Sequence, residues 1–426
     1  MTLSHGVSRR TNWAGNVTFG AGTVHTPSTL DELRSLVARS RRIRALGTAH
    51  SFNDLADSPG DLVTLDALPQ TVEIDPDTAT ARVPAGVRYA ELTRHLHSGG
   101  FALRNLGSLP HISVVGACAT GTHGSGVANG CLSTEVSGME LVTADGDLVT
   151  LRRGADDHFD GAVVHLGALG VVTAVTLDLV PAYDMLQHVY EDLELDALDD
   201  HFEELVACAY SVCLFTDWRG PRLTQVWINR RATDPEPAVP AAPWFTARPA
   251  DGPRHPVSGL SPDCCTEQLG LAGSWHERLP HFRPDQTPSV GEELQSEYMV
   301  DRADAVAALR ALDEVREQIS PELLICEVRT IAGDGLWMSP CHGRDSVSIH
   351  FTWTARTRPV LQAVSVVERQ LAPYAARPHW AKIFTTPPPA VRSLYPRLPD
   401  FRALTRHYDP SGKFRNAFLE RVLDGS

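Results

Sequence analysis

The sequence predicts an α+β protein of two domains, and three observations predict it. The chain has 426 residues, more than one hydrophobic core usually supports. Its first part interleaves short strand-like runs with helical periodicities. Its later part holds runs in which polar residues recur every second position among apolar ones, as strands with two unlike faces require. The expected division is residues 1–182 and 183–401, with a C-terminal segment of about 402–426 packing back on the first part.

Taken in order, Thr29 stands three residues before Glu32, a capping-box spacing, and Leu30, Leu33, Leu36 and Val37 then recur at helical period, so a helix runs to about Arg41. Ile43 to Leu46 leads as a short strand into the loop Gly47-Thr48-Ala49-His50-Ser51. Strands follow at Leu62 to Leu65 and Ala81 to Val83, then a helix from about Tyr89 to His97 stopped by Gly99-Gly100. Asp145-Gly146 between two apolar runs makes Met139 to Leu151 a hairpin, and Val171 to Leu179 alternates as a further strand. Residues 231–262 are crowded with Pro, Ala and Gly and read as a long loop or insertion with no recognisable chemistry. One amphipathic helix is expected from Asp301 to Ile319, on Val306, Leu309, Leu312, Val315 and Ile319, followed by strands Leu323 to Ile331 and Val347 to Trp353.

Composition narrows the function. A net charge of −14, with no basic cluster longer than Arg41-Arg42 and Arg44, argues against a nucleic-acid partner and leaves small uncharged substrates as the better fit. Met1 to Trp13 has Arg9-Arg10 but no apolar run after them, and no later segment approaches the roughly 20 apolar residues of a membrane span, so a cytoplasmic protein is expected. The eight cysteines are scattered and none forms a Cys-x-x-Cys pair. Adjacent side chains such as Cys264 and Cys265 seldom converge on one ion, so buried free thiols and no metal site are expected.

Two Gly-rich segments, Ala45 to Asn53 and Gly116 to Gly126, have small residues that let backbone N–H groups approach an anion. Neither is a standard nucleotide motif: the dinucleotide fingerprint would need glycine where Asn129 stands, and Ser108, Ser113 and Ser125 lack the flanking glycines of a nucleophile elbow. On composition alone, glycines that merely turn the chain fit equally well. In Cys326-Glu327-Val328-Arg329-Thr330 the two charged residues share a strand face, and in Ser348-Ile349-His350-Phe351-Thr352-Trp353 so do His350 and Thr352, with Ile349, Phe351 and Trp353 opposite. Charges in such apolar surroundings are either a structural ion pair or the lining of a cavity for a hydroxylated substrate, to which Lys382 would add a cation.

These residues, and blocks such as Ser108 to Val114, Leu214 to Trp218, Cys265 to Gln268, Leu294 to Tyr298 and Arg377 to Trp380, resemble the vanillyl-alcohol oxidase type of FAD enzymes and, within it, the alditol (xylitol) oxidases. The resemblance runs from Thr11 to Phe418. It implies a two-domain fold in which the first domain binds FAD and the second, with a mixed or antiparallel sheet, covers the isoalloxazine ring. By the same resemblance His50 is bonded to the flavin 8α-methyl group. Ala45, Leu46, Gly47, Thr48, Ala49, His50, Ser51, Ser108, Ser113, Gly116, Ala117, Cys118, Ala119, Thr120, Val172 and His379 are implied as FAD contacts, and Ser108, Glu327, Arg329, His350, Thr352 and Lys382 as the substrate site.

The implied reaction takes a hydride from a polyol carbon and a proton from its oxygen, and passes electrons to dioxygen to give hydrogen peroxide, in a monomer. Arg329 and Lys382 would stabilise alkoxide character, Glu327 would accept from substrate hydroxyls, and either His350 or a neutral Lys382 would take the proton. Gly107 stands where alanine is common and leaves at least as much room for oxygen. Ala49 stands where a second glycine usually precedes the histidine, and Arg104, Cys118 and Ala381 also depart from the pattern. Competing readings are an aldonolactone oxidase, which shares Glu327-Val328-Arg329 and His379 to Lys382, a dehydrogenase with another electron acceptor, and a flavin-free polyol-binding protein.

Overall fold

A computed structural model describes residues 10–234, 246–286 and 292–424. Leu33, Leu36 and Val37 bury one face of helix Leu30–Arg39, whose N-terminus is capped by Thr29 accepting from the Glu32 N–H at 3.2 Å. The Glu32 carboxylate returns to the Ser28 N–H at 2.8 Å. Leu30, expected on the buried face, is exposed, because the first helical position lies before the turn that meets the core. Strands Thr23–His25 and Ile43–Ala45 flank Asp61–Val63 in a small parallel sheet. A five-stranded antiparallel sheet runs in the order Glu73–Asp75, Thr80–Pro84, Val171–Asp178, Val136–Val142 and Leu148–Arg152. Its last hairpin turns at Gly146, whose φ of +84° suits glycine.

The larger sheet is antiparallel and places Asp184–Glu194, Arg222–Arg231, Ser211–Thr216, Leu323–Ile331, Ser346–Thr354 and Glu293–Asp301 side by side in that order. Its two faces differ as the alternation requires. Leu214, Cys326, Val328, Ile349, Phe351 and Trp353 point to one side, where helices Ala197–Ala207, Ala305–Asp313 and Thr357–Leu371 bury them. Buried apolar area contributes about 25 cal/mol per Å², so this dry layer stabilises the second half and leaves the other face for polar work.

Two expectations need correction. The single helix over Asp301 to Ile319 is two pieces, Ala305–Asp313 and Arg316–Ile319, because Val315 leaves helical backbone at ψ 10° and each piece then packs on helix Thr357–Leu371. The segment 231–262 is not simply a loop: Arg248–Pro249 adds an edge strand to Asp184–Glu194, and His255, Pro256, Val257 and Leu260 border the cleft described below. Residues 235–245 of that segment lie outside the described residues.

The C-terminal residues hydrogen-bond to the first part of the chain. The buried Arg44 guanidinium donates to the Leu55 and Leu166 carbonyls, both at 2.8 Å, and to that of Phe414. The Asn416 amide donates to the carbonyls of Asp54, Leu55 and Asp57. We propose residues 1–182 with 402–426 as one domain and 183–401 as the other. No helix among the described residues is long and apolar enough to cross a membrane.

Candidate active site

A cleft of about 560 Å³ is lined from both parts of the chain. Ala45 to Ser51, Ser108, Ser113, Gly116, Ala117, Ala119, Thr120, Val172 and His379 all line it. Cys118 does not: it shares the buried side of helix Val114–Cys118 with Val114, its Sγ lies 3.8 Å from Tyr89 Oη, and burial pushes the thiol up to about 12. The two Gly-rich loops meet over Ser113. A Cβ at Gly47 would lie 2.7 Å from Ser113 Oγ and one at Gly116 2.6 Å, so with Ser113 in this rotamer glycine suits both positions. Small residues on two meeting loops suit the diphosphate of a dinucleotide, and Arg44, whose guanidinium is held by backbone carbonyls, also lines the cleft.

His50 sits at the end of the first loop, its ring stacked on Trp13 with centroids 5.0 Å apart and its Nδ1 3.2 Å from the Thr48 carbonyl. Burial lowers its pKa to about 4, so the imidazole is neutral at pH 7 and keeps a nitrogen lone pair. Ala49 holds a left-handed φ of +58° at the position before it. Asn53 Nδ2 donates to the carbonyls of Trp380 and Lys382, both at 2.8 Å, which ties this loop to the other half of the site.

The polar face of the larger sheet supplies that other half. Glu297, His350 and Glu327 are direct cross-strand partners on three neighbouring strands, so their side chains share one face, with Arg329, Thr352 and Gln295 two residues away on the same face. Arg329 Nη2 donates to Glu297 Oε1 at 2.9 Å, its Nε stands 3.5 Å from Glu327 Oε1, and its Nη1 reaches Ser108 Oγ at 3.3 Å. His281 Nε2 lies 3.5 Å from Glu327 Oε1. Burial works to raise the Glu327 carboxyl, but Arg329, His281 and His350 together hold it below its ordinary value. Glu297 is held well below its own against the same burial, by His123 and His350.

His350 Nε2 is 3.2 Å from Thr352 Oγ1, and burial, aided by Lys382 and Arg329 against the pull of Glu297, depresses its pKa. The Lys382 ammonium donates to Gln295 Oε1, lies 4.8 Å from the centre of the Phe52 ring, and is brought by burial down to about 8. The sequence alternatives for Glu327 and Arg329 therefore merge, since they are an ion pair and also line the cleft.

Glu297, Gln295, His281 and His123 were not singled out in the sequence. Gln295 and Glu297 carried the same two-residue spacing as Glu327 and Arg329, whereas His123 and His281 stand on loops and carry no periodic signal. Donor atoms of His255, Cys264 and Cys265 also lie within 4.8 Å of one another, so the adjacent cysteines do converge, contrary to expectation; Cys265 is buried and Cys264 partly so. Cys213, His281 and Glu327 form a second such group, already engaged by Arg329.

Residues 22–152 match the FAD binding domain family and residues 292–422 the D-arabinono-1,4-lactone oxidase family. The fold is similar to crystalline cholesterol oxidase from B. sterolicum, with a TM-score of 0.78 over 97% of this chain and 96% of that one at 15% identity, a likeness of fold alone. L-Gulono-1,4-lactone dehydrogenase of Mycobacterium tuberculosis is 29% identical over 97% of this chain and 98% of its own length. Alditol oxidase of Streptomyces sp. (strain IKD472) is 54% identical over 418 residues, 97% of this chain and 99% of that one. With that identity over nearly the whole of both chains, the chain belongs to the alditol oxidase family of FAD-linked enzymes.

Proposed function

We propose that the protein oxidises a terminal hydroxyl of a linear polyol such as xylitol or sorbitol to the aldose, with FAD bonded through His50 and dioxygen released as hydrogen peroxide. The observation that carries this reading is the row of polar side chains Glu327, Arg329, His350, Thr352 and Lys382, which lines the cleft together with the two Gly-rich loops. A polyol hydroxyl suits such a lining, because it donates to a carboxylate and accepts from a guanidinium or an ammonium. The named activity of the Streptomyces relative supports the same substrate class.

FAD supplies the hydride acceptor and the route to dioxygen. The chain does the rest. As the C=O bond forms, the carbon gives up a hydride and the oxygen a proton. Arg329 and a protonated Lys382 hold positive charge beside that oxygen, which lowers the cost of alkoxide character. His350, neutral at pH 7, accepts the proton at Nε2, the nitrogen beside which Thr352 Oγ1 also stands at 3.2 Å. Ser108, on the first half of the cleft, meets Arg329 and closes the clamp across it. Neutral His50 suits a covalent link, since a ring nitrogen must attack with its lone pair. A monomer working in the cytoplasm completes the proposal, and sedimentation of the purified protein checks the first of these.

The test is the visible spectrum before and after acid precipitation, then anaerobic xylitol. Yellow colour that stays with the precipitate and bleaches with xylitol, with peroxide formed in air, is the expected result. Colour released to the supernatant removes the His50 link. A second reading, oxidation of an aldonolactone, is favoured by the family matched over residues 292–422 and wins if lactones bleach the flavin and xylitol does not.

A further inference from the structure

We propose that Glu297 is a positioning residue for this oxidation: its carboxylate holds Arg329 through Nη2 and faces His350 Nδ1, so that His350 presents Nε2 to the substrate oxygen beside the guanidinium. The inference rests on the reading of the cleft as an alcohol-oxidising site.

Glu297 is 2% exposed and stands in one row with His350 and Glu327 on the sheet face that borders the cleft. Its Oε1 accepts from Arg329 Nη2 at 2.9 Å and from Ser348 Oγ at 2.5 Å, and His123 Nε2 is 3.0 Å away. Two hydrogen bonds and the nearby His123 ring on one oxygen fix the carboxylate plane and leave Oε2 for His350 Nδ1, 3.5 Å away. That separation is longer than a hydrogen bond, and base–orienter contacts of this kind tighten when substrate binds. The main chain holds the same point, since the His379 N–H donates to the Glu297 carbonyl at 2.9 Å. A buried carboxylate with this many polar neighbours exceeds what pairing one arginine needs.

The chemistry gives the arrangement its use. When His350 takes the substrate proton it becomes a cation among cations, with Arg329 and Lys382 facing it, while Glu327 and Glu297 face it as anions and His281 and His379 as further imidazoles. With Glu297 these three positive charges meet two negative ones when the proton arrives, and without it they meet only one. A carboxylate on the nitrogen away from the substrate orients the ring and stabilises the imidazolium, the logic of the serine-protease triad in another setting.

The experiment compares the FAD-loaded wild type with E297Q, H350Q and the double variant by anaerobic flavin reduction with xylitol across pH, together with nitrogen NMR of the His350 ring in substrate-free protein. E297Q is expected to slow reduction on the order of a hundredfold, within the range of a lost acid–base contribution. Its acid limb and the NMR pKa of His350 both move to lower pH, because the anion that favoured the imidazolium is gone. In the H350Q background the same substitution costs less than about threefold, as residues acting as a unit require. Equal factors in both backgrounds, or an unmoved His350 pKa, would overturn the proposal and leave Glu297 a partner of Arg329 only. If E297Q does not fold, E297D decides: a slower reaction with the acid limb in place supports the role, and an unchanged rate removes it. Should xylitol fail to bleach the wild type while a lactone succeeds, the substrate reading falls and the same cycle is run with the lactone.

Discussion

Arg329 and Glu297 form the shortest of the ion pairs that one buried guanidinium makes with two carboxylates, Nη2 to Oε1 at 2.9 Å, against 3.5 Å from Nε to Glu327 Oε1. Removing one member of such a cluster leaves the others buried and uncompensated. R329M is therefore expected to lose about 3–5 kcal/mol of stability as well as polyol oxidation. R329K keeps the charge but not the planar fork, so it should fold and bind xylitol weakly. Urea denaturation of the flavin-loaded variants checks both. An R329M protein as stable as wild type would mean that Glu297 and Glu327 take up protons when the cation is gone.

The chemistry of the larger sheet was legible because a strand writes its two faces into the sequence with period two. Glu327 with Arg329, and His350 with Thr352, were separated correctly from Ile349, Phe351 and Trp353, and the structure buries the latter under helices. The same rule would have found Gln295 and Glu297. What it could not give is register, which decides that Glu297, His350 and Glu327 form one row, because cross-strand pairing depends on partners far apart in the chain. Loop residues such as His123, His281 and His255 obey no period and became visible only when the chain was folded. The break at Val315 was lost because tertiary packing overrode a local pattern. The burial of Cys118 agrees with the expected buried thiols, and only its implied place against the cofactor, which came from the resemblance, lacks support in the cleft.

Ala49 occupies the left-handed region with φ of +58°, where an L side chain costs about 1–2 kcal/mol. Glycine removes that cost but gains chain entropy on unfolding, worth about 0.4–1 kcal/mol in the opposite sense. A49G is thus expected to stabilise by about 0.5–1 kcal/mol, with flavin still retained on acid precipitation. Thermal melting of the loaded protein measures it, and a lower midpoint for A49G would show that the Ala49 methyl makes contacts worth more than the strain.

Cys118 lies in the core of the first half of the chain, its Sγ bonded toward Tyr89 and the Leu132 carbonyl. C118A should therefore cost on the order of 1 kcal/mol through lost packing and leave the flavin spectrum and its retention unchanged. A shifted flavin spectrum in C118A would place this residue against the cofactor after all.

Lys382 separates the two candidates for the base. Burial is the largest cause that brings it from 10.5 to about 8, with Arg329 adding to the shift and Glu297, Glu293 and Glu327 opposing it. At pH 7 it is a cation, which suits charge stabilisation beside the reacting oxygen, so the rate of flavin reduction should fall as pH rises through about 8. Stability should move the other way. Between about 8 and 10.5 the unfolded chain still holds the proton that the folded protein has released, so the unfolded state binds more protons and the folded state gains as pH rises. K382M removes both effects. It should oxidise xylitol poorly at every pH, and its stability relative to wild type should be highest at pH 7 and decline across that window. Stopped-flow reduction and urea midpoints from pH 6 to about 10 test this, the range spanning both values. A wild-type rate that instead climbs through pH 8 would make neutral Lys382 the proton acceptor, and His350 with Glu297 would then serve to hold the substrate oxygen rather than to take its proton.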